Sequence, residues 1–483
     1  MMGTLTTGKH SSVNPTEDDG EGIAVGKVDV DDILDFIGFG PLQIIAYFLA
    51  GLTSLAFGFE TLVLAFIYPE LQKEWNLDGL HYAVLPSVTG VTNIVGGFFY
   101  GYLSDNYGRV WPYALAIANV AVFSLVSAFS QNFATMITLR GITSFGITGI
   151  VSMLVPTLAE FLPVKNRGKV LILVFLIQAV GNCAAGGLAW WLIPTYTVNG
   201  WRYLVIATAL PSFFSTLYRL VFFIESPRFL IAKGKFAKAR KTLSLMARIN
   251  GKNLNDFLPE EKEFQHSVSI ETKTKETFLQ SFSKFLTIFK PPYLKRTICL
   301  SIVYSTGTIT YYASALFFPA ILKEQLGINN PYFTLFIGYL GQIPGILLIA
   351  IIIEWARVGR LNSLRFFTLL SVVSFLLLAF VQTAVTIPVF MILIYFSLVP
   401  IIPLLYTYMS ESYPTAVRTF ALSFFNGLSA IGSIVMPFVS GYLSDVSIPW
   451  LYPTVWAGLL LFQFVVSLFL RRETLGTNLT DTV

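Results

Sequence analysis

Twelve runs of about 20 mostly apolar residues, separated by polar segments, leave this chain few ways to fold, because a run of that length matches the bilayer core. In the first half they are Ile44–Ile67, Ala83–Leu103, Pro112–Phe129, Met136–Phe161, Val170–Ile193 and Leu204–Phe223. In the second they are Thr297–Leu322, Tyr332–Ile353, Leu364–Val381, Pro388–Tyr408, Thr419–Leu443 and Pro449–Leu470. Backbone polar groups find no water in lipid, so each run predicts a helix. Charged residues are 12% of the chain, half the roughly 25% of a soluble domain, which makes it an integral membrane protein. The expected class is an all-α membrane protein with twelve transmembrane helices.

Two motifs recur at one offset. Glu160-Phe161-Leu162-Pro163-Val164-Lys165-Asn166-Arg167 and Glu411-Ser412-Tyr413-Pro414-Thr415-Ala416-Val417-Arg418 share the pattern E-x-x-P-x-x-x-R, 251 residues apart. Gly108-Arg109 returns as Gly359-Arg360 at the same interval. Two independent markers thus report one duplication, and the twelve helices divide into two pseudo-symmetric bundles of six.

Charge placement orients the chain. Arg109, Lys165, Arg167, Lys169, Arg357, Arg360, Arg365, Arg418, Arg471 and Arg472 fall on one set of loops, whereas the opposite set carries mainly Lys73 and Lys323. The positive-inside rule makes both termini cytoplasmic. Because the net charge of +5 flanks the spans and forms no single patch, a nucleic-acid partner is not expected. The predicted organisation is a cytoplasmic tail (1–40), a first bundle (41–224), a connector (225–296), a second bundle (297–470) and a cytoplasmic tail (471–483). Within the connector, Ala237–Arg248 has helical spacing suited to the inner membrane surface, and His266–Glu276 reads as flexible. The acidic, Gly-rich start lacks a basic region leading into an apolar core, so no cleavable signal is expected.

At the loop ends, Gly101 and Gly108 suit close helix approach and a tight turn, and Asp105 and Arg109 suit an ion-pair latch. In the repeat, Ala356 stands where Asp105 would, with Glu354 two residues earlier. Glu160 with Arg167, Glu411 with Arg418, and Glu225 with Arg228 supply further acid–base pairs at cytoplasmic helix ends, fit to bias a switch between states. These residues and Arg360 form the candidate gating set.

Inside the spans, Glu60 lies near the middle of the first, where a carboxylate must be protonated or paired. Arg140, near the start of the fourth, is the candidate partner, and protonation of Glu60 would release it. Tyr311 falls 251 residues after Glu60, at the equivalent depth of the seventh span, beside Tyr312. Gln178 and Asn182, one turn apart, and Gln342 complete a candidate substrate cavity at the midplane. Helix–helix hydrogen bonding is an equally good reading of Asn182 and Gln342. Asn93, Asn119 and Asn426 are further polar residues in the spans without a rank. The chain shows no nucleotide loop, nucleophile elbow or metal-ligand cluster, so neither cofactor, metal nor enzyme is expected. Cys183 and Cys299 lie in apolar runs and read as core thiols.

With Gly101–Arg109 and its partial repeat, the chain resembles the major facilitator superfamily of secondary transporters. Phe57-Gly58-Phe59-Glu60-Thr61 and Arg140-Gly141 are similar to the first- and fourth-span motifs of sugar porters. Gly200-Trp201-Arg202, Glu225-Ser226-Pro227-Arg228, Tyr311-Tyr312 and Tyr413-Pro414-Thr415 resemble the branch of synaptic vesicle glycoproteins and their relatives, near organic cation and sugar porters. The large glycosylated luminal loop of the vesicle glycoproteins is absent, since only Lys323–Pro331 joins those spans. The resemblance implies a monomeric transporter in the plasma membrane or a vesicle membrane, working by alternating access on a small organic solute, an organic ion among the candidates. Proton symport through Glu60 and Arg140 is the expected coupling. A uniporter is the first alternative, and a vesicle-protein-like scaffold or receptor that binds without turnover is the second.

Overall fold

The computed structural model describes residues 30–77, 79–196, 198–221, 224–257, 286–291, 293–324, 328, 330–353, 359–383, 385–413, 415–446 and 448–470. Among them the regular structure is helical, without strands. A short helix α1 (Val30–Ile37) precedes six long ones: α2 (Pro41–Trp75), α3 (Gly79–Tyr107), α4 (Val110–Ser127), α5 (Phe133–Ala159), α6 (Val164–Thr195) and α7 (Gly200–Val221). The connector contributes α8 (Pro227–Ala232) and α9 (Phe236–Ile249). Then follow α10 (Leu294–Glu324), α11 (Pro331–Leu340), α12 (Gln342–Ile352), α13 (Gly359–Phe380), α14 (Thr386–Leu398), α15 (Ile401–Ser412), α16 (Thr415–Asp445) and α17 (Leu451–Leu468).

These helices make twelve crossings, with α11–α12 and α14–α15 each one interrupted span. Pro344 cannot donate to the carbonyl four residues back, and the first break falls there; Pro400 opens the second. Ten crossings are long and apolar enough for a bilayer by themselves. The other two, α7 and α10, are diluted by polar side chains; α10 carries Thr306, Thr308, Thr310, Tyr304 and Tyr311, all buried among neighbouring helices and shielded from lipid. Large apolar groups face outward elsewhere, Phe98 at 79% exposure and Phe48 at 73%, as a lipid-facing surface requires.

Helices α2 to α7 pack on one another, and so do α10 to α17. The two sets meet along three seams: α3 on α16, α6 on α11 and α12, and α2 on α10. Where α2 crosses α6 the backbones nearly touch. A Cβ on Gly58 would lie 2.4 Å from the Gln178 carbonyl oxygen, and one on Gly181 would lie 2.5 Å from that of Leu55. Only glycine permits this approach, the small-residue contact by which membrane helices associate.

The sequence expectation for Ala237–Arg248 is corrected. Its helix, α9, turns Ala239, Leu243, Met246 and Ala247 inward onto Ile33, Leu34 and Ile37 of α1, so its apolar face is covered by protein. Asn250 ties this small unit to α2: its amide donates to Gln43 Oε1 at 2.7 Å and accepts from the Leu42 backbone at 3.1 Å. Residues 266–276 lie outside the described residues.

Candidate functional site

Helix α2 places Glu60 deep in the first six-helix set, and α5 brings Arg140 to it. Arg140 Nη1 donates to Glu60 Oε2 at 2.8 Å, with both side chains buried, 2% and 0% exposed. The other carboxylate oxygen, Oε1, accepts from Ser124 Oγ of α4. Arg140 Nε and Nη2 are buried without a hydrogen-bond partner. A guanidinium taken out of water with part of its fork unpaired is held there by its charge partner, so the arrangement depends on Glu60 staying ionised.

At mid-depth, polar groups bridge the two sets. Asn182 Nδ2 of α6 donates to Gln342 Oε1 of α12 at 2.8 Å and reaches the Tyr311 hydroxyl of α10 at 3.5 Å. Asn182 Oδ1 and Gln342 Nε2 are buried and unpartnered, an acceptor and a donor at the same seam. Tyr312 sets its ring edge-on to Tyr311, centroids 5.4 Å apart. Gln178 is half-buried on α6, one turn from Asn182. In this conformation Asn182 and Gln342 act as helix–helix ties.

A second polar group forms from residues that patterning does not rank. Tyr304 of α10 and Tyr406 of α15 both donate to Asn426 Oδ1 of α16, each at 2.7 Å, and the two hydroxyls lie 3.2 Å apart. Asn426 itself is exposed. Three helices supply one residue each, so no local spacing announces the group.

Of the expected gating pairs, only Glu225–Arg228 lies wholly among the described side chains, and it is not made; Arg109, Glu160, Arg360 and Glu411 make further contacts. Arg109 Nε meets Glu160 Oε1 at 3.2 Å and Nη1 donates to Ser104 Oγ at 2.7 Å. Arg360 makes a two-pronged contact with Glu411, Nη2–Oε1 at 3.0 Å and Nε–Oε2 at 3.1 Å. Both pairs span 51 residues, so the duplication extends to the ion pair itself. Each ties helices within one six-helix set. Glu225 accepts from the backbone N–H groups of Arg109 at 2.9 Å and Val110 at 3.4 Å, an anion at the N-terminus of α4, while Arg228 pairs with Asp31 of α1. Gly108 makes room for this: its φ is +107°, and a Cβ there would lie 2.3 Å from Glu225 Oε2. Among the described residues, nothing outside its own helix lies within 4 Å of where a Cβ on Gly101 would stand. The side chains of Asp105, Arg167 and Arg418 lie outside the described residues, as do Glu354 and Ala356.

Among the described residues, the side-chain contacts joining the two sets lie at mid-depth and towards the face opposite α1 and the end of α17. Tyr332 donates to Glu70 Oε1 at 3.3 Å, Trp190 stacks on Phe336 at 6.0 Å, and Ser87 Oγ donates to the Ile434 carbonyl at 2.8 Å.

Two six-helix sets, a buried ion pair in the first and a polar seam between them define a secondary transporter of the major facilitator type. The chain belongs to the sugar (and other) transporter family, whose profile matches residues 46–482. It is 28% identical to the synaptic vesicle 2-related protein of Xenopus laevis, over 99% of this chain and 85% of that one. It is 27% identical to organic cation/carnitine transporter 7 of Arabidopsis thaliana, over 94% of this chain and 96% of that one. Among solved structures, the partially occluded inward-open xylose transporter XylE from E. coli superposes with a TM-score of 0.72 at 16% identity, covering 90% of this chain and 99% of that one, and shares the fold.

Proposed function

We propose that this protein moves a small organic solute across its membrane by alternating access, with proton movement coupled through Glu60 and Arg140. The observation that carries the reading is the ion pair, fully buried, with two unpartnered guanidinium nitrogens beside it. While Glu60 is ionised, the pair is neutral and α2 and α5 are held together. When Glu60 takes a proton, Arg140 is left as an uncompensated buried charge, a change of about 3–5 kcal/mol. The guanidinium then moves towards water, and α5 shifts against α2. The bundles 41–224 and 297–470 are the bodies that rock, with 225–296 as their tether.

The contacts between the bundles favour an opening on the face that carries the chain ends. Arg109, Arg228, Arg296, Arg360 and Arg365 gather there, and the positive-inside rule supports reading that face as cytoplasmic and the conformation as inward-open. The solute sits between Asn182, Gln342 and Tyr311 on one level and Tyr304, Tyr406 and Asn426 on another. Both groups offer amides and phenols, and Glu60, the carboxylate at this depth among the described residues, is already paired. Solute candidates are those that relatives name, organic cations and sugars, together with organic anions. The protein works as a monomer in the plasma membrane or a vesicle membrane.

The test is solute-induced proton flux in proteoliposomes carrying wild type or Glu60→Gln, screened against pools of organic cations, anions and sugars. Flux in wild type that vanishes in Glu60→Gln, with pH-independent counterflow retained, supports coupling at Glu60. Uptake indifferent to both pH and the substitution shows a uniporter and overturns the coupling.

A further inference from the structure

Ser124 stands out among the hydroxyls of α4. Ser127 Oγ donates to the Ser124 carbonyl at 2.7 Å, the back-bonding usual for serine in a helix, and Ser130 Oγ, just past the helix end, donates to the Ser127 carbonyl at 2.8 Å. Ser124 is as deeply buried as they are, yet its hydroxyl turns away from the helix and donates to Glu60 Oε1. The two carboxylate oxygens therefore have partners of different chemistry. Oε2 faces a guanidinium, which only donates and stays charged; Oε1 faces a hydroxyl, which both donates and accepts.

We propose that Ser124 is the third member of the proton site, selecting Oε1 as the oxygen that takes the proton. This rests on the proton-coupled reading above. In the ionised state the Ser124 O–H donates to Oε1. In the protonated state the new carboxyl O–H on Oε1 donates to Ser124 Oγ, whose hydrogen swings back onto a carbonyl of its own helix, as that of Ser127 already does. The acid is thus hydrogen-bonded in both states, while the bond from Arg140 to Oε2 loses its charge assistance. Protonation strains one partner and leaves the other satisfied, so the response is directed through α5 and not α4. Of the helices packed on α2, α5 brings Arg140 to Glu60, and α6, α7, α9 and α10 bring no ionisable group to it among the described residues. Beyond Ser130 the α4 end is fixed by Arg202, which donates to the Ser130 carbonyl at 3.3 Å and pairs with Glu74 at 2.8 Å, so Ser124 is held in register with the carboxylate.

The experiment needs no solute. Infrared difference spectra of the full chain in liposomes are taken between about pH 4 and pH 10, and the Glu60 carboxyl band is assigned by its loss in Glu60→Gln. Ser124→Ala loses a charge-assisted bond in the ionised state and a weaker neutral one in the protonated state, and the difference moves the half-titration of that band to higher pH by about one unit. The carbonyl stretch of the protonated acid also moves to higher frequency, since its O–H partner is gone. Ser124→Thr, which keeps the hydroxyl, returns both towards wild type. An unchanged half-titration and frequency in Ser124→Ala overturns the role of Ser124 and leaves proton coupling standing. Absence of any titrating Glu60 band in wild type overturns the proton-coupled reading, and this inference with it.

Discussion

At the scale of single residues, the Glu60–Arg140 pair has the greatest consequence. Removing one partner strands the other charge in the interior, whereas removing both exchanges an ion pair for apolar packing. Arg140→Met is therefore expected to lower stability by about 3 kcal/mol or more, and Glu60→Leu/Arg140→Met to recover most of the loss. Thermal unfolding in detergent checks this; equal losses in single and double variants would show that the pair is not mutually dependent. The two ionic residues and their depth were legible in the sequence, because a charge inside an apolar run has few explanations. Ser124 was not, since a serine in a membrane helix usually bonds its own backbone and only the tertiary structure shows this one turned aside. The partners of Arg109 and Arg360 were half-legible. The same 51-residue interval separates each arginine from its glutamate, a spacing that only the fold turns into a contact.

At the scale of elements, helix existence followed from apolar length, and helix ends exceeded the apolar runs. α2 extends over 35 residues, from Pro41 to Trp75, because its polar ends are satisfied by protein: Gln43 and the Asn250 amide at one, the Glu70–Lys73 pair at the other. The glycines of these helices are not equivalent. Gly58→Ala is expected to force α2 from α6 and lower stability by about 1–3 kcal/mol. Gly101→Ala meets open space and is expected to be neutral or to gain up to about 1 kcal/mol from helix propensity. Thermal melts of the two variants side by side decide it, and an equal loss at both positions would refute the close contact at Gly58. The neighbour across the gap is what separates the two glycines. The amphipathic face of α9 is similar. Its periodicity was plain, but whether lipid or protein covers it depends on α1, whose four buried residues sit more than 200 positions earlier.

At the scale of the molecule, the seam between the bundles opposite the chain ends must part if solute is to enter from that side. Gly90 on α3 and Ser433 on α16 face each other there, a Cβ on Gly90 falling 3.0 Å from Ser433 Oγ, close enough for a disulfide between introduced cysteines. In a background with Cys183 and Cys299 replaced, Gly90→Cys/Ser433→Cys is expected to cross-link on oxidation and stop uptake, with reduction restoring it. Continued uptake by the cross-linked protein would show that this seam stays shut during transport. The sequence by itself determined the membrane location, the helix count, the duplication and the buried acid, because each is written in local apolar length, in charge against that background, or in an interval between repeated motifs. The tertiary structure alone decided which charge Arg228 meets, which hydroxyl turns to Glu60, and that Tyr304, Tyr406 and Asn426 converge. Those outcomes depend on contacts between residues distant in the chain, and a contact of 3 Å is set by how whole helices pack, which no single segment encodes.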